Sequence, residues 1–190
     1  MTETIKFLKT REVKSPSRAN KFDAGIDFYV PSLTEEFVKE LYQKNSFRNN
    51  DNPGNLLYKS YIAPDSNGIT TISLYPQERI LIPSGIYCKM SNPGRALIAA
   101  NKSGVATKMG LVFGAQVVDY EYQGEIHLSL INTGTVTVEI QGGMKVIQFL
   151  ETPIYNSDIE IFPQGNLIPL SFYERETTRG ADGFGSSDKK

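Results

Sequence analysis

The chain has a single cysteine, Cys88, and a single histidine, His127, in 190 residues, with no long apolar run and no block of basic residues. Each shortage removes a class of function. One cysteine cannot close an intramolecular disulfide, and without clustered cysteines and histidines a zinc site has no ligand set. Cys88 sits in the run Ile86-Tyr87-Cys88-Lys89-Met90 with no base beside it to make a thiolate, so it is not expected to act as a nucleophile. A net charge of −1 carried by dispersed charges argues against a nucleic-acid partner. No apolar stretch is long enough to span a bilayer, and the start Met1-Thr2-Glu3-Thr4 is charged. Both point to a soluble, cytoplasmic protein of a reducing compartment that engages no membrane.

What the sequence does hold is short, β-prone and punctuated by turns. Strands are expected over Thr4–Leu8, Gly25–Val30, Thr70–Leu74, Arg79–Ile82, Gly85–Met90, Ala96–Ala100, Val136–Ile140, Lys145–Leu150 and Ile159–Phe162. With ten prolines and sixteen glycines between them, these runs predict an all-β domain, an antiparallel sandwich or barrel. One segment departs from this period. Ser32-Leu33-Thr34-Glu35 has the form of a capping box, and Leu33, Phe37, Val38, Leu41 and Tyr42 share one helical face through about Lys44. The Asn-, Asp-, Pro- and Gly-rich residues 45–55 that follow are expected as loop. From Glu174 to Lys190 no apolar face remains, and the sequence predicts a flexible C-terminal arm after a domain spanning 1–173.

Three stretches carry polar groups in arrangements suited to chemistry. Val117-Val118 and the alternating Ile126, Leu128 and Leu130 flank Asp119-Tyr120-Glu121-Tyr122-Gln123-Gly124, which reads as a hairpin with a carboxylate where a strand opens. Asp119 is then either a solvated turn acid or a general base for a water. Asn101-Lys102-Ser103-Gly104 follows the apolar run Ala96–Ala100, bringing a cation, a hydroxyl and an unobstructed amide to a strand end. Such a set suits a phosphate, with Val105–Lys108 starting a helix, or it is an ordinary helix cap. In the tail, Arg179-Gly180-Ala181-Asp182-Gly183-Phe184-Gly185-Ser186-Ser187 combines flexible backbone, hydroxyls, an arginine and an aromatic with no core to join. Wrapping phosphates and stacking on a flat ligand are uses for that combination.

In order along the chain, Ala24-Gly25-Ile26-Asp27-Phe28, Lys102-Ser103-Gly104, Val118–Gly124, Gly143–Gln148 and Arg179–Ser187 resemble the motifs of the trimeric dUTPase family. The resemblance implies a distorted, jelly-roll-like antiparallel β-barrel in a homotrimer, each active site drawing on all three chains. It implies hydrolysis of dUTP to dUMP and pyrophosphate, which limits uracil in DNA and supplies dUMP for thymidylate synthesis. By this likeness Asp119 activates the water that attacks the α-phosphorus. Ser103, Gly104 and Gln148 hold phosphate oxygens, Lys102 and Arg179 supply charge, Phe184 stacks on uracil, and Gly185, Ser186 and Ser187 close over the phosphates. Tyr122 packs under the deoxyribose and excludes ribonucleotides, and Gln116 borders the uracil pocket. The cofactor implied is Mg2+, carried by the triphosphate and touched by Asp27 at most through a water.

The chain departs from the family pattern at several positions. Lysine stands at 102 and asparagine at 101 where the family has arginine and proline, Gln116 replaces a glycine, and Met144-Lys145 replace an acidic-basic pair. Residues 33–68 are longer than the compact pattern needs and read as an insertion, either a cover for the barrel or a surface for a protein partner or a wall near the active site, and in either case not needed for the chemistry. Two alternatives remain: a dUTPase-like regulator acting through protein–protein binding, and a dCTP deaminase of the same fold.

Overall fold

The structure, a computed structural model, describes residues 3–45, 62–64 (as backbone only), 70–162, 172, 173 and 177. It divides into a compact unit, Met1–Tyr155, and a second unit, Asn156–Lys190. The predicted all-β class holds, with three antiparallel sheets around one core rather than a single closed ring of strands. Strands β1 (Ile5–Lys9), β5 (Arg79–Met90), β9 (Ile126–Asn132) and β7 (Leu111–Phe113) form the first sheet in that order. The second runs β2 (Gly25–Tyr29), β11 (Lys145–Pro153), β6 (Arg95–Asn101), β8 (Val117–Val118). The third is β10 (Val138–Gln141), β4 (Thr70–Leu74), β3 (Ile62–Pro64).

Alternation sets which side chains face the core. Ile126, Leu128 and Leu130 of β9 are buried at every second position, as the sequence pattern predicts. Ile26 and Phe28 of β2 point inward, where the Phe28 ring meets Phe7 at 5.7 Å and Phe149 at 4.7 Å. Asp27, between them, faces the other way and is nevertheless buried.

Several expectations need correction. Arg79–Ile82 and Gly85–Met90 are one strand, bent where its register with β9 shifts between Pro83 and Ile86, because a bulge lets the chain turn without ending the ladder. Ile159–Phe162 is not a strand; Ile159 and Ile161 are exposed and pair with nothing among the described residues. Beyond it, the Phe172 ring packs edge-on against Phe162 and Tyr173. The stretch around Asp119 is not a local hairpin. Val117–Val118 pairs with Leu97–Ile98 in the second sheet, whereas β7 and β9 pair with each other in the first. Residues 114–125 therefore cross from one sheet to the other and back.

Helix α1 (Glu35–Lys44) lies where predicted, but its N-cap is Thr34, whose Oγ1 accepts the Phe37 N–H at 3.3 Å. Ser32 is drawn away by its own backbone bond to Glu12. The helix is not a detachable cover. Phe37 and Leu41 are buried in the common core, and Asn45, just past its end, pairs with the backbone of Leu81 in both directions at 2.8 Å. Within the insertion, β3 is a strand the sequence reading missed, and residues 46–61 and 65–69 lie outside the described residues. Among the described residues no helix is long and apolar enough to cross a membrane.

Candidate functional site

The first half of the site forms where β2, β6 and β11 lie side by side. Their register places Gln148 between Asp27 and Ala100. Asp27 receives Lys102 Nζ on Oδ1 and Lys145 Nζ on Oδ2, the latter at 3.1 Å. Burial alone would raise the Asp27 pKa, but the hydrogen bonds from the two ammonium groups outweigh it and hold the carboxyl below its ordinary value. The same contact raises the pKa of Lys145. Gln148 donates to the Asn101 carbonyl at 2.8 Å, and Asn101 Oδ1 accepts the Phe113 N–H at 3.0 Å, so asparagine at this position ties the end of β6 to β7.

Asp27, Lys102 and Gln148 line a cleft of about 310 Å³ together with Ala19, Asp23, Ala24, Gly25 and Leu150. At its edge, helix α2 (Ser103–Met109) begins two residues earlier than predicted, directly after Lys102. Ser103 and Gly104 are exposed, and nothing lies within 4 Å of where a Gly104 side chain would start.

The second half is the crossing segment. The Gln116 carbonyl accepts the Ala99 N–H at 2.7 Å, while the Gln116 side chain is exposed. Asp119 is exposed at the following turn, closed by Tyr122 N–H to the Asp119 carbonyl at 3.2 Å. The Tyr122 hydroxyl donates to the Glu125 carbonyl at 2.9 Å and leaves its ring accessible. Register sets how far apart the two halves are. Val118 pairs with Leu97, and from Leu97 to Lys102 the extended strand covers roughly 17 Å. One chain thus brings Asp27, Lys102, Ser103, Gly104 and Gln148 together at one end of β6, and holds Asp119 and Tyr122 at the other. Arg179, Phe184, Gly185, Ser186 and Ser187 lie outside the described residues.

Among the described residues no three carboxylate, histidine or cysteine side chains converge. Asp27, the expected water-mediated contact, is already neutralised by two ammonium groups that repel a cation. Lys145 is the partner that sequence reasoning missed; its only signal was its place in the Gly143–Gln148 motif.

An open strand-end cleft lined by Lys102, Asp27 and Asp23, with the exposed Asp119 carboxylate on a separate turn, is carried on an all-β fold. The sequence profile of the dUTPase family matches residues 68–188, and the chain belongs to that family. The deoxyuridine 5′-triphosphate nucleotidohydrolase of Aromatoleum aromaticum is 32% identical over 142 residues, covering 68% of this chain and 87% of that protein. Among solved structures, a mutant dUTPase of Staphylococcus bacteriophage 80alpha with dUpNHpp superposes with a TM-score of 0.66 at 18% identity, covering 98% of this chain and 99% of that one. A mutant dUTPase of the S. aureus phage phi11, in which a structural Mg(II) ion is coordinated, gives 0.59 at 17% identity, covering 86% and 99%. At these identities the structural likeness concerns the fold.

Proposed function

We propose that this member of the dUTPase family hydrolyses dUTP to dUMP and pyrophosphate, with the Asp119 carboxylate as general base for the water that attacks the α-phosphorus. The observation that carries the reading is the separation of the two halves along β6. The base and the phosphate cleft of one chain lie too far apart to serve one α-phosphate, whereas neighbouring copies in a closed trimer bring them face to face. A cleft of about 310 Å³ is at the lower limit for a ligand pocket, consistent with a site that another chain completes.

In this reading Ser103, the Gly104 amide and Gln148 take phosphate oxygens, and Lys102, whose Nζ is paired with Asp27 before the substrate binds, supplies charge to them. Catalysis is then mainly positioning and charge neutralisation. Tyr122 offers its exposed ring to the deoxyribose, and Gln116 stands at the uracil side. The arm at 174–190 supplies Arg179 to the phosphates, Phe184 to the base, and Gly185, Ser186 and Ser187 as the closing backbone. Bound with the triphosphate, magnesium would supply further neutralisation of phosphate charge. The product dUMP is a thymidylate precursor, and removal of dUTP keeps uracil out of DNA.

The test is pyrophosphate release from dUTP by the wild type and by Asp119→Asn. The amide keeps the shape and can accept a hydrogen bond but cannot take a proton, so turnover should nearly vanish while dUTP binding persists. Turnover in the variant comparable to wild type would remove Asp119 from the role. Ammonia release from dCTP would instead favour the deaminase.

A further inference from the structure

We infer that Arg11 is a positioning residue for the turn that carries Asp119 and Tyr122, acting through Glu125 at the root of that turn and held in place by helix α1. The effect on selectivity described below rests on the reading of Tyr122 as the sugar-facing residue. Arg11 belongs to none of the family motifs, and its two partners lie 29 and 114 positions away in sequence.

The geometry begins at the bulge in β5. Between Pro83 and Ile86 the register with β9 shifts, and Gly85 takes φ +73°, a conformation that side chains disfavour. Its N–H leaves the ladder and donates to Glu125 Oε1 at 2.5 Å. A side chain on residue 85 would also overlap Arg11 Cγ, so the glycine admits the arginine stem. Arg11 Nη2 then reaches the same carboxylate at 3.2 and 3.4 Å. Its Nη1 and Nη2 form a fork on Glu40 of α1 at 2.7 and 3.1 Å, and the guanidinium lies 4.7 Å from the ring centre of Phe37, also of α1.

Glu125 passes this anchoring to the turn through its main chain. Its carbonyl accepts the Tyr122 hydroxyl at 2.9 Å and faces His127 Nδ1 at 2.8 Å, which makes Nδ1 the protonated nitrogen. The Tyr122 ring fills the place of a side chain on Gly124, so hydroxyl and ring are both fixed at the root. Charge makes the clamp indispensable. Without Arg11 two partly buried carboxylates, Glu40 and Glu125, share one site with no cation between them. The helix of the insertion is thereby coupled to the segment that holds the general base.

The experiment uses the full chain with Arg11→Met, Arg11→Lys and Glu125→Gln, reading amide hydrogen exchange of residues 119–124 and the ratio of kcat/KM for dUTP over UTP. Arg11→Met should speed exchange in that segment about tenfold while distant strands such as β11 keep their protection, and should lower the dUTP preference about tenfold. Arg11→Lys, which keeps the charge and loses the fork, should recover part of both. In a Tyr122→Phe background, where the hydroxyl is already gone, Arg11→Met should no longer move the ratio. Unchanged exchange at 119–124 in folded Arg11→Met overturns the inference, as does an equal drop in the ratio with and without the Tyr122 hydroxyl. If Arg11→Met does not fold, Glu125→Gln, which retains size and hydrogen-bonding capacity, is held to the same criteria. Faster exchange with a ratio that neither Arg11→Met nor Tyr122→Phe changes leaves the clamp standing and removes Tyr122 from sugar recognition.

Discussion

Gln148 occupies the space that a side chain on Gly25 would need: a Cβ there would overlap Oε1 and stand 2.7 Å from the amide carbon. The two residues are diagonal neighbours across the β2–β11 ladder, where Gly25 pairs with Leu150 two register steps from the Asp27–Gln148 pair. Glycine in the first motif therefore keeps an amide of the fourth motif upright. Gly25→Ala should fold, because the far end of Gln148 can swing aside, but the swing breaks its bond to the Asn101 carbonyl. A lost hydrogen bond to a charged phosphate is worth about 1.5–3 kcal/mol, so the KM for dUTP should rise roughly ten- to a hundredfold. Steady-state kinetics of Gly25→Ala, Gln148→Ala and the double variant check this; the double variant should be no worse than Gln148→Ala alone.

Asp27 gives the protein an acid-sensitive element. Its folded-state pKa lies below the ordinary 3.8, so the stability it contributes is complete above that value and is lost as pH falls through the lower, folded one. Asp27→Asn should unfold at lower temperature near neutral pH, since Lys102 and Lys145 lose their common partner. The gap from wild type should close as pH falls from neutral through that lower, folded-state value. Thermal unfolding of both proteins across that range measures it. A gap that persists unchanged in acid would mean that packing, not the carboxylate charge, is what the asparagine disturbs.

Cys88 is half-buried in β5, and burial, aided by nearby Glu151, pushes its thiol up to about 11. The thiol thus stays protonated throughout the neutral range and is a poor nucleophile. Native protein should react with iodoacetamide far more slowly than unfolded protein, and Cys88→Ala should retain wild-type turnover. Rapid labelling of the folded chain at neutral pH would contradict the buried placement.

The parts of this fold that were legible in the sequence are those fixed by local pattern. Period-two alternation marks β9, and the one-sided apolar face marks α1. Non-local geometry was not legible. Nothing in Val117-Val118 says that it leaves the strands flanking it in sequence to pair with Leu97–Ile98, because a two-residue ladder carries no periodicity of its own. Ile159–Phe162 has strand composition, yet composition cannot supply an edge to pair with. In the site, motif residues could be named individually, but the Asp27–Lys145 pair and the Arg11–Glu125 clamp depend on chain segments far apart in sequence. Charged residues have no spacing rule across such distances.

The separation of the two half-sites along β6 leads to a test of assembly that needs no further structure. Asp119→Asn disables one half-site of a chain and Ser103→Ala the other, and each variant alone should hydrolyse dUTP poorly. In a site confined to one chain, mixing them restores nothing, because every chain carries a defect. In a trimer whose sites join Asp119 of one chain to Ser103 of its neighbour, an interface pairing intact Asp119 from one variant with intact Ser103 from the other is wild type. For random exchange of equal amounts this occurs at about a quarter of the interfaces, so co-refolded variants should recover about a quarter of wild-type pyrophosphate release. Recovery should require subunit exchange and be absent when the separately folded variants are simply combined and assayed at once. If co-refolding yields a trimer with no more activity than its parents, the base and the phosphate cleft must meet within one chain. The crossing segment 114–125 would then have to leave its pairing with β6 to bring Asp119 to Ser103.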